Sequence, residues 1–498
     1  MTLATECLVT CCSRSRVGTG LGGVQYPQRM HSISLARFNA LAAWCRFGPA
    51  MWILEEVAWF ESGDGHLLGL VVRDQTDGDF LGIYLAKDRA ERFRLISQTD
   101  DFFDTPDAAA AALIAGASAL LARLEAERRR GDEPPEAVDF FELGVPRERL
   151  HPSFATLLES EGFSPARELF GAMMRWYEDV DGNFIEQFQT TGFDARLLEL
   201  YTYALLVENS FSVSRDHAAP DFLAQDIIGK IAVEVTTANP TKDRQGNPQS
   251  SPKVTTEEER CAYLKQYIPI KFAAALTKKL GKKYWTQPHV AGNPLVFVIQ
   301  DFHAPGSMTF ARTGLTIYLY GYNHEAHRDE DGRLIVLATK VAAHRWGEKT
   351  VASGFFDLPG AEHVSAVLFN TAATLAKFNR IGYVAGFGSR RVRMIRRGTI
   401  WNPDPDAAEP TPFSVRVDDP DYDEAWTEGL DIFHNPHAAI PLNPEHFPEA
   451  VHHYLQPDGN ISSVQASNIV HPLASLTQIF IPEDADDEGP NASHESII

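Results

Sequence analysis

The chain has 498 residues, enough for two to four domains, and its 44% hydrophobic content with 30 Phe supplies ordinary globular cores. A net charge of −22 argues on its face against a nucleic-acid partner, and no apolar run approaches the ~20 residues of a membrane span, which excludes a helical integral membrane protein. Five Cys in so long a chain argue against a disulfide framework, and Met1–Thr10 lack the basic and long apolar regions of a signal peptide, so the expected location is the cytoplasm.

Residues 1–30 carry Gly18, Gly20, Gly22 and Gly23 without periodicity and read as a flexible leader; no strand precedes the glycines and no Lys-Ser/Thr follows, so they are not a phosphate loop. Cys7, Cys11 and Cys12 lack a second half for a zinc site. From Ile53 to Ser97 four β-rich runs alternate with Gly/Asp turns. Thr105-Pro106-Asp107 then caps an Ala/Leu helix running to about Arg130. Residues 31–135 are thus expected to form an N-terminal α+β unit.

Residues 145–190 read as helical, and a long helix follows from about Phe193 to Glu208. Three short strands come next: Phe211–Ser214, Asp221–Ala224 and Lys230–Thr236. A polar loop leads to a helix at Glu257–Tyr267, a second helix opened by Pro269, and the apolar strand Leu295–Gln300. Helix–strand–strand–strand–helix–strand describes a mixed α/β core over 145–310. An α/β extension over 311–480 is expected to carry strands at Leu315–Tyr320, Leu334–Lys340 and Val364–Phe369, with His324 and His327 in a turn. From Trp401 the chain reads as loop-rich with a helix near Pro448–Tyr454, and 481–498 as an acidic disordered tail.

The charge is unevenly spread. Thr241–Lys283 holds ten basic residues against four acidic ones, and Arg390, Arg391, Arg393, Arg396 and Arg397 form a second basic cluster. A phosphate-binding stripe on an acidic protein is therefore compatible with the composition.

The chemistry concentrates around Pro220-Asp221 and Glu234. Asp221 opens one strand, and Glu234 lies within the next, in a run otherwise of Ile, Ala and Val. A carboxylate in an apolar strand is paired, protonated or metal-bound, because burying it bare is costly. Two such acids on adjacent strands can converge on one hard cation. Asp301 closes the strand at Leu295–Gln300 as a cap or a lesser site residue.

Pro220-Asp221, the twelve-residue gap and Glu234-Val235-Thr236, with Arg196–Glu199 on the preceding helix, resemble the PD-(D/E)XK nuclease superfamily. The resemblance covers roughly residues 190–305. It implies a restriction-endonuclease-like mixed-sheet core and Mg²⁺-dependent hydrolysis of nucleic-acid phosphodiesters, DNA first, with a bacterial defence role as a further implication. Asp221 and Glu234 would hold the metal and Glu199 would assist. Thr236 stands where the family's lysine would be, so the cation comes from elsewhere or the fold is a silent scaffold or binding protein. In the helix after Pro269 the apolar stripe is Phe272, Leu276, Leu280 and Tyr284. At ~100° per residue Lys279 and Lys283 flank it, while Lys271, Lys278 and Lys282 point away. Lys279 is the first candidate for the catalytic cation. Lys271, Lys278, Lys282, Lys283, Arg390, Arg391 and Arg393 are candidates for the phosphate backbone.

Overall fold

The computed structural model describes residues 30–482 except 47, 134–137, 178, 180–181, 244, 246–247, 405 and 467–470. The leader expected over 1–30, apart from Met30, and nearly all of the acidic tail lie outside the described residues.

Strands β1 (Met30–Ile33), β2 (Leu54–Ser62), β3 (Leu67–Asp74), β4 (Phe80–Lys87) and β5 (Phe93–Gln98) form an antiparallel meander in chain order. Helix α1 (Pro106–Leu121) begins at Thr105, whose hydroxyl oxygen accepts the Ala108 N–H at 3.3 Å. It buries Leu113 and Ala117 on one face of the sheet, and Phe38 from a short helix at Leu35–Ala42 packs on the other.

The larger body is built on an eight-stranded mixed sheet between two helical layers. Helices α2 (Ser164–Met174) and α3 (Phe193–Glu208) precede β6 (Ser212–Ser214), β7 (Phe222–Gln225) and β8 (Lys230–Ala238), an antiparallel meander. A capping box at Thr256 and Glu259 starts a helix at Glu257–Ala262, which widens into a π-turn at Tyr263–Tyr267 and continues as α4 (Ile268–Leu280). β9 (Leu295–Asp301) then lies parallel to β8. Beyond it come α5 (Arg312–Tyr320), the hairpin β10 (Tyr322–Arg328)–β11 (Leu334–Lys340) and the hairpin β12 (Ala343–Trp346)–β13 (Lys349–Ala352). β14 (Ala366–Asn370) pairs with β9, and α6 (Leu375–Val384) follows. β15 (Arg393–Ile400), β16 (Thr411–Arg416) and, at the end, β20 (Pro472–Phe480) make a separate three-stranded sheet. β17 (Leu430–His434), β18 (Val451–Leu455) and β19 (Ile461–Val464) complete the large sheet in the order β19-β18-β17-β14-β9-β8-β7-β6.

Alternation along the strands decides which helix covers which face. Phe222, Val233 and Val296 pack with α2, α3 and α6, whereas Ala232, Phe297 and Ile299 pack with α4 and α5. Sheet and core both run across residue 310, so the spans expected as 145–310 and 311–480 share one hydrophobic body.

Four expectations need correction. Leu315–Tyr320 is part of a helix, not a strand; a short apolar run carries no period of its own, and here it packs against α4 and stops at Gly321, whose φ is 73°. Pro448–Tyr454 is not helical, because Val451–Leu455 pairs with β17 and β19. His324 and His327 lie within β10, and the turn falls at Asp329–Gly332. The stretch after Trp401 holds five strands, of which β17 and β20 pair with β14 and β15, far away in sequence.

Candidate active site

β7 and β8 are in register with Phe222 opposite Val233. Asp221 immediately precedes β7, and continuing the same register by one residue brings it beside Glu234. By alternation the pair faces the α4 side, as Leu223 and Ala232 do. The Asp221 side chain reaches β8 at Val235, the residue next to Glu234, so the two carboxylates are neighbours. Asp221 Oδ2 accepts the Val235 N–H at 2.7 Å. Burial, together with the like charges of Glu234 and Glu199, pushes Asp221 up to about 7 against the pull of Lys279 and that N–H.

Glu234 is 3% exposed. Its Oε1 accepts from the Tyr284 hydroxyl at 2.5 Å and from the Lys279 ammonium. Lys279 therefore reaches back to β8 from the flank of α4. Tyr284, read from the sequence only as the end of an apolar stripe, contributes its ring to the core and its hydroxyl to the site. Burial and the Glu234 contact push that phenol upwards, so it stays a donor.

Glu199 adds its charge to that of Asp221 but has ion-pair partners of its own. Its carboxylate accepts from Arg196 at 2.5 Å, from Arg215 at 2.8 Å and from the Tyr177 hydroxyl, all at the start of α3 and beside β6. Two guanidiniums and a phenol satisfy it, where Glu234 has one ammonium and a phenol, so Glu199 is the less available of the two to a cation. Among the described residues no group of three or more His, Cys, Asp or Glu side chains is arranged to hold a metal ion.

These residues stand at one end of a cleft of about 660 Å³ at the C-terminal end of β8, the end at which open α/β sheets bind ligands. Glu199 and Asp221 line it together with six cations: Arg196, Lys242, Lys271, Lys278, Lys279 and Lys349. Glu234 lies behind Lys279 and Thr236 lies on the wall. The cleft is thus locally basic on an acidic protein.

The other candidates separate on contact with the geometry. Lys278 is exposed and lines the cleft. Lys271 does not point away into solvent: it is buried, and its ammonium donates to Asn239 O at 2.9 Å and Thr241 Oγ1 at 2.8 Å. The loop after β8 folds over it, and burial lowers it to about 8. Lys283 is not on the flank of α4, because the helix ends at Leu280 and Lys283 takes a left-handed conformation with φ 53°. Lys282 and Lys283 are exposed and do not line the cleft. Nor do Arg390, Arg391 and Arg393, which lie at the start of β15 on the smaller sheet; Arg391 pairs with Glu161 at 3.4 Å, and Arg393 donates to the Val392 carbonyl at 2.9 Å. Asp301 is fully buried and accepts from His303 Nδ1 at 2.7 and 2.8 Å.

Lys242 was counted in the basic stretch Thr241–Lys283 without a place in the site, and Lys349 was beyond the reach of the sequence, since it sits in a hairpin brought to α4 by tertiary packing. No protein-family model, no curated protein and no solved structure matches this chain.

Proposed function

We propose that the chain is a metal-dependent nuclease of the PD-(D/E)XK kind, hydrolysing nucleic-acid phosphodiester bonds in the cleft beside β8. One observation carries the reading: two neighbouring carboxylates, Asp221 and Glu234, with the Lys279 ammonium on Glu234, at the end of a cleft walled by cations. The helix–strand–strand–strand–helix–strand order around them, with β8 and β9 parallel, agrees with the resemblance.

The donor set suits Mg²⁺. Asp221 is raised first by burial and then by the negative charges of Glu234 and Glu199, the part a cation relieves, and Mg²⁺ takes one or two carboxylates and leaves its other positions to water and phosphate oxygens. Asp221 and Glu234 would hold it, and its chemistry would be to polarise the phosphodiester and acidify water. Tyr284 fixes the Glu234 carboxylate from the core side. Lys279 supplies the ammonium missing at Thr236, positioned to meet charge developing on a phosphate oxygen. Lys278 and Lys349 are placed to hold the flanking backbone, contacts that position without reading sequence.

The second reading, a silent nuclease fold that binds without cutting, is favoured by Thr236 and by the tight closure of Lys279 on Glu234. Cleavage of an oligonucleotide with Mg²⁺ separates the two. Lys279→Ala is expected to lower cleavage by about tenfold or more with little loss of binding, and Lys278→Ala to weaken mainly binding. Equal effects from the two substitutions would remove Lys279 from catalysis.

A further inference from the structure

The cleft holds two aromatic rings among its lysines. Tyr267 and Trp346 both line it, Tyr267 almost buried and Trp346 half-buried. Their centroids are 5.2 Å apart with 63° between the ring planes. Trp346 pairs with Lys349 across the tip of the β12–β13 hairpin, so one turn delivers a ring and an ammonium to the cleft together.

The placement of that hairpin follows from a proline. Pro269 has no N–H to offer the Lys265 carbonyl one helical turn back. The helix widens there into the π-turn at Tyr263–Tyr267, and His344 Nδ1 donates to Lys265 O at 2.9 Å. Burial keeps His344 low and hence neutral, with Nε2 2.8 Å from Ser353 Oγ. The Arg345 N–H adds a bond to Gln266 Oε1 at 3.0 Å. β12 is thus pinned to the π-turn immediately before Trp346.

A second support stands behind the rings. Tyr263 stacks on Tyr267 at 5.0 Å and 21° and meets Trp346 edge-on at 6.4 Å and 84°. Its hydroxyl bonds to His303 Nε2, and His303 Nδ1 is held by the buried Asp301. The aromatic group is therefore rigid before any ligand arrives.

We infer that Trp346, braced edge-on by Tyr267, whose own ring is already stacked by Tyr263 and covered by the Lys271 ammonium, forms a stacking platform for an unpaired base, so that the substrate class of this site is single-stranded nucleic acid; the inference rests on the nuclease reading above. In a duplex both faces of each base are covered by its neighbours, and only an unpaired base can lay a face on a side chain. A base on the platform leaves its phosphates beside Lys271, Lys278 and Lys349, with Asp221 and Lys279 further along the same wall. Stacking of this kind tolerates any base and adds to, rather than replaces, the electrostatic term.

The test is fluorescence anisotropy with the full-length protein, without divalent cations, using a labelled oligothymidylate and a labelled duplex of equal length. The single strand is expected to bind at least about tenfold more tightly, and Trp346→Leu to weaken it about tenfold without moving its salt dependence. Trp346→Phe keeps an aromatic face and is expected to restore most of the affinity, which distinguishes stacking from a folding defect. Lys349→Ala is expected to lower the log–log salt slope by about 0.7, the share of one phosphate on a single strand. Equal binding of duplex and single strand, with Trp346→Leu neutral, would overturn the platform and leave the nuclease reading standing. A wild-type protein that binds neither at low salt would overturn both.

Discussion

Asp221→Asn is expected to stabilise the metal-free protein at alkaline pH. The Asp221 carboxyl is raised from 3.8 to about 7 by burial and by Glu234 and Glu199. A group raised in the folded state contributes stability that is fully present below its unfolded pKa and is lost as pH rises through its folded pKa. About three pH units at about 1.4 kcal/mol each put the loss near 4 kcal/mol above pH ~7. Asn carries no charge to bury and its carbonyl can still accept the Val235 N–H, at a cost of about 1 kcal/mol for the weaker, neutral bond. The net gain is about 3 kcal/mol. With about 2 cal/mol/K of unfolding entropy per residue, a chain of this length melting as one unit shifts by about 3 °C. Thermal melts in a chelator across pH ~4.5–8.5 give the assay. The gain is expected to be constant above pH ~7, to shrink by about 1.4 kcal/mol per unit below it, and to vanish near pH ~4.5. A variant less stable than wild type at pH ~8, or a gain that does not change with pH, would refute the reasoning and make Asp221 an ordinary hydrogen-bonded carboxylate.

Glu424 holds a buried network in which Arg380 binds it twice at 2.7 Å and Lys377 and Arg396 approach to 3.4 and 3.5 Å, with Glu428 as the other acid. Glu424→Gln leaves three buried cations facing one carboxylate and is expected to cost about 3–5 kcal/mol, read as a loss of several degrees in Tm; an unchanged melt would show that water reaches the network. Lys271, lowered to about 8 by burial, loses its charge as pH rises through that value. Oligonucleotide affinity is expected to fall between pH ~7 and ~9 more steeply in wild type than in Lys271→Met, and parallel profiles would exclude Lys271 from the phosphate path.

The parts of the site legible in the sequence are those set by local register and helical period. Asp221 and Glu234 could be paired because a hairpin of β-rich runs fixes which residues oppose, and Lys279 could be aimed because Phe272, Leu276 and Leu280 define the buried stripe of α4. The same wheel misplaced Lys271 and Lys283: the first is covered by a loop whose path no period encodes, and the second lies past the end of the helix. Glu199 was visible as an acid on α3, but Arg215 and Tyr177, which neutralise it, come from either side of that helix. Trp346 and Lys349 left no local mark, since a two-stranded hairpin reaches the cleft only through His344 and the π-turn. The N-terminal meander was readable strand by strand because each pairs with its neighbour in sequence, whereas β14 and β17 join the large sheet through pairings across long separations.

The most direct test of the nuclease reading is cleavage of a single-stranded oligonucleotide with and without Mg²⁺ by the wild-type chain, Asp221→Asn and Glu234→Gln. The expected result is Mg²⁺-dependent cleavage by wild type, lost in both variants while each still binds the oligonucleotide. Cleavage retained in either variant, or none by wild type under conditions where the strand is bound, would contradict it.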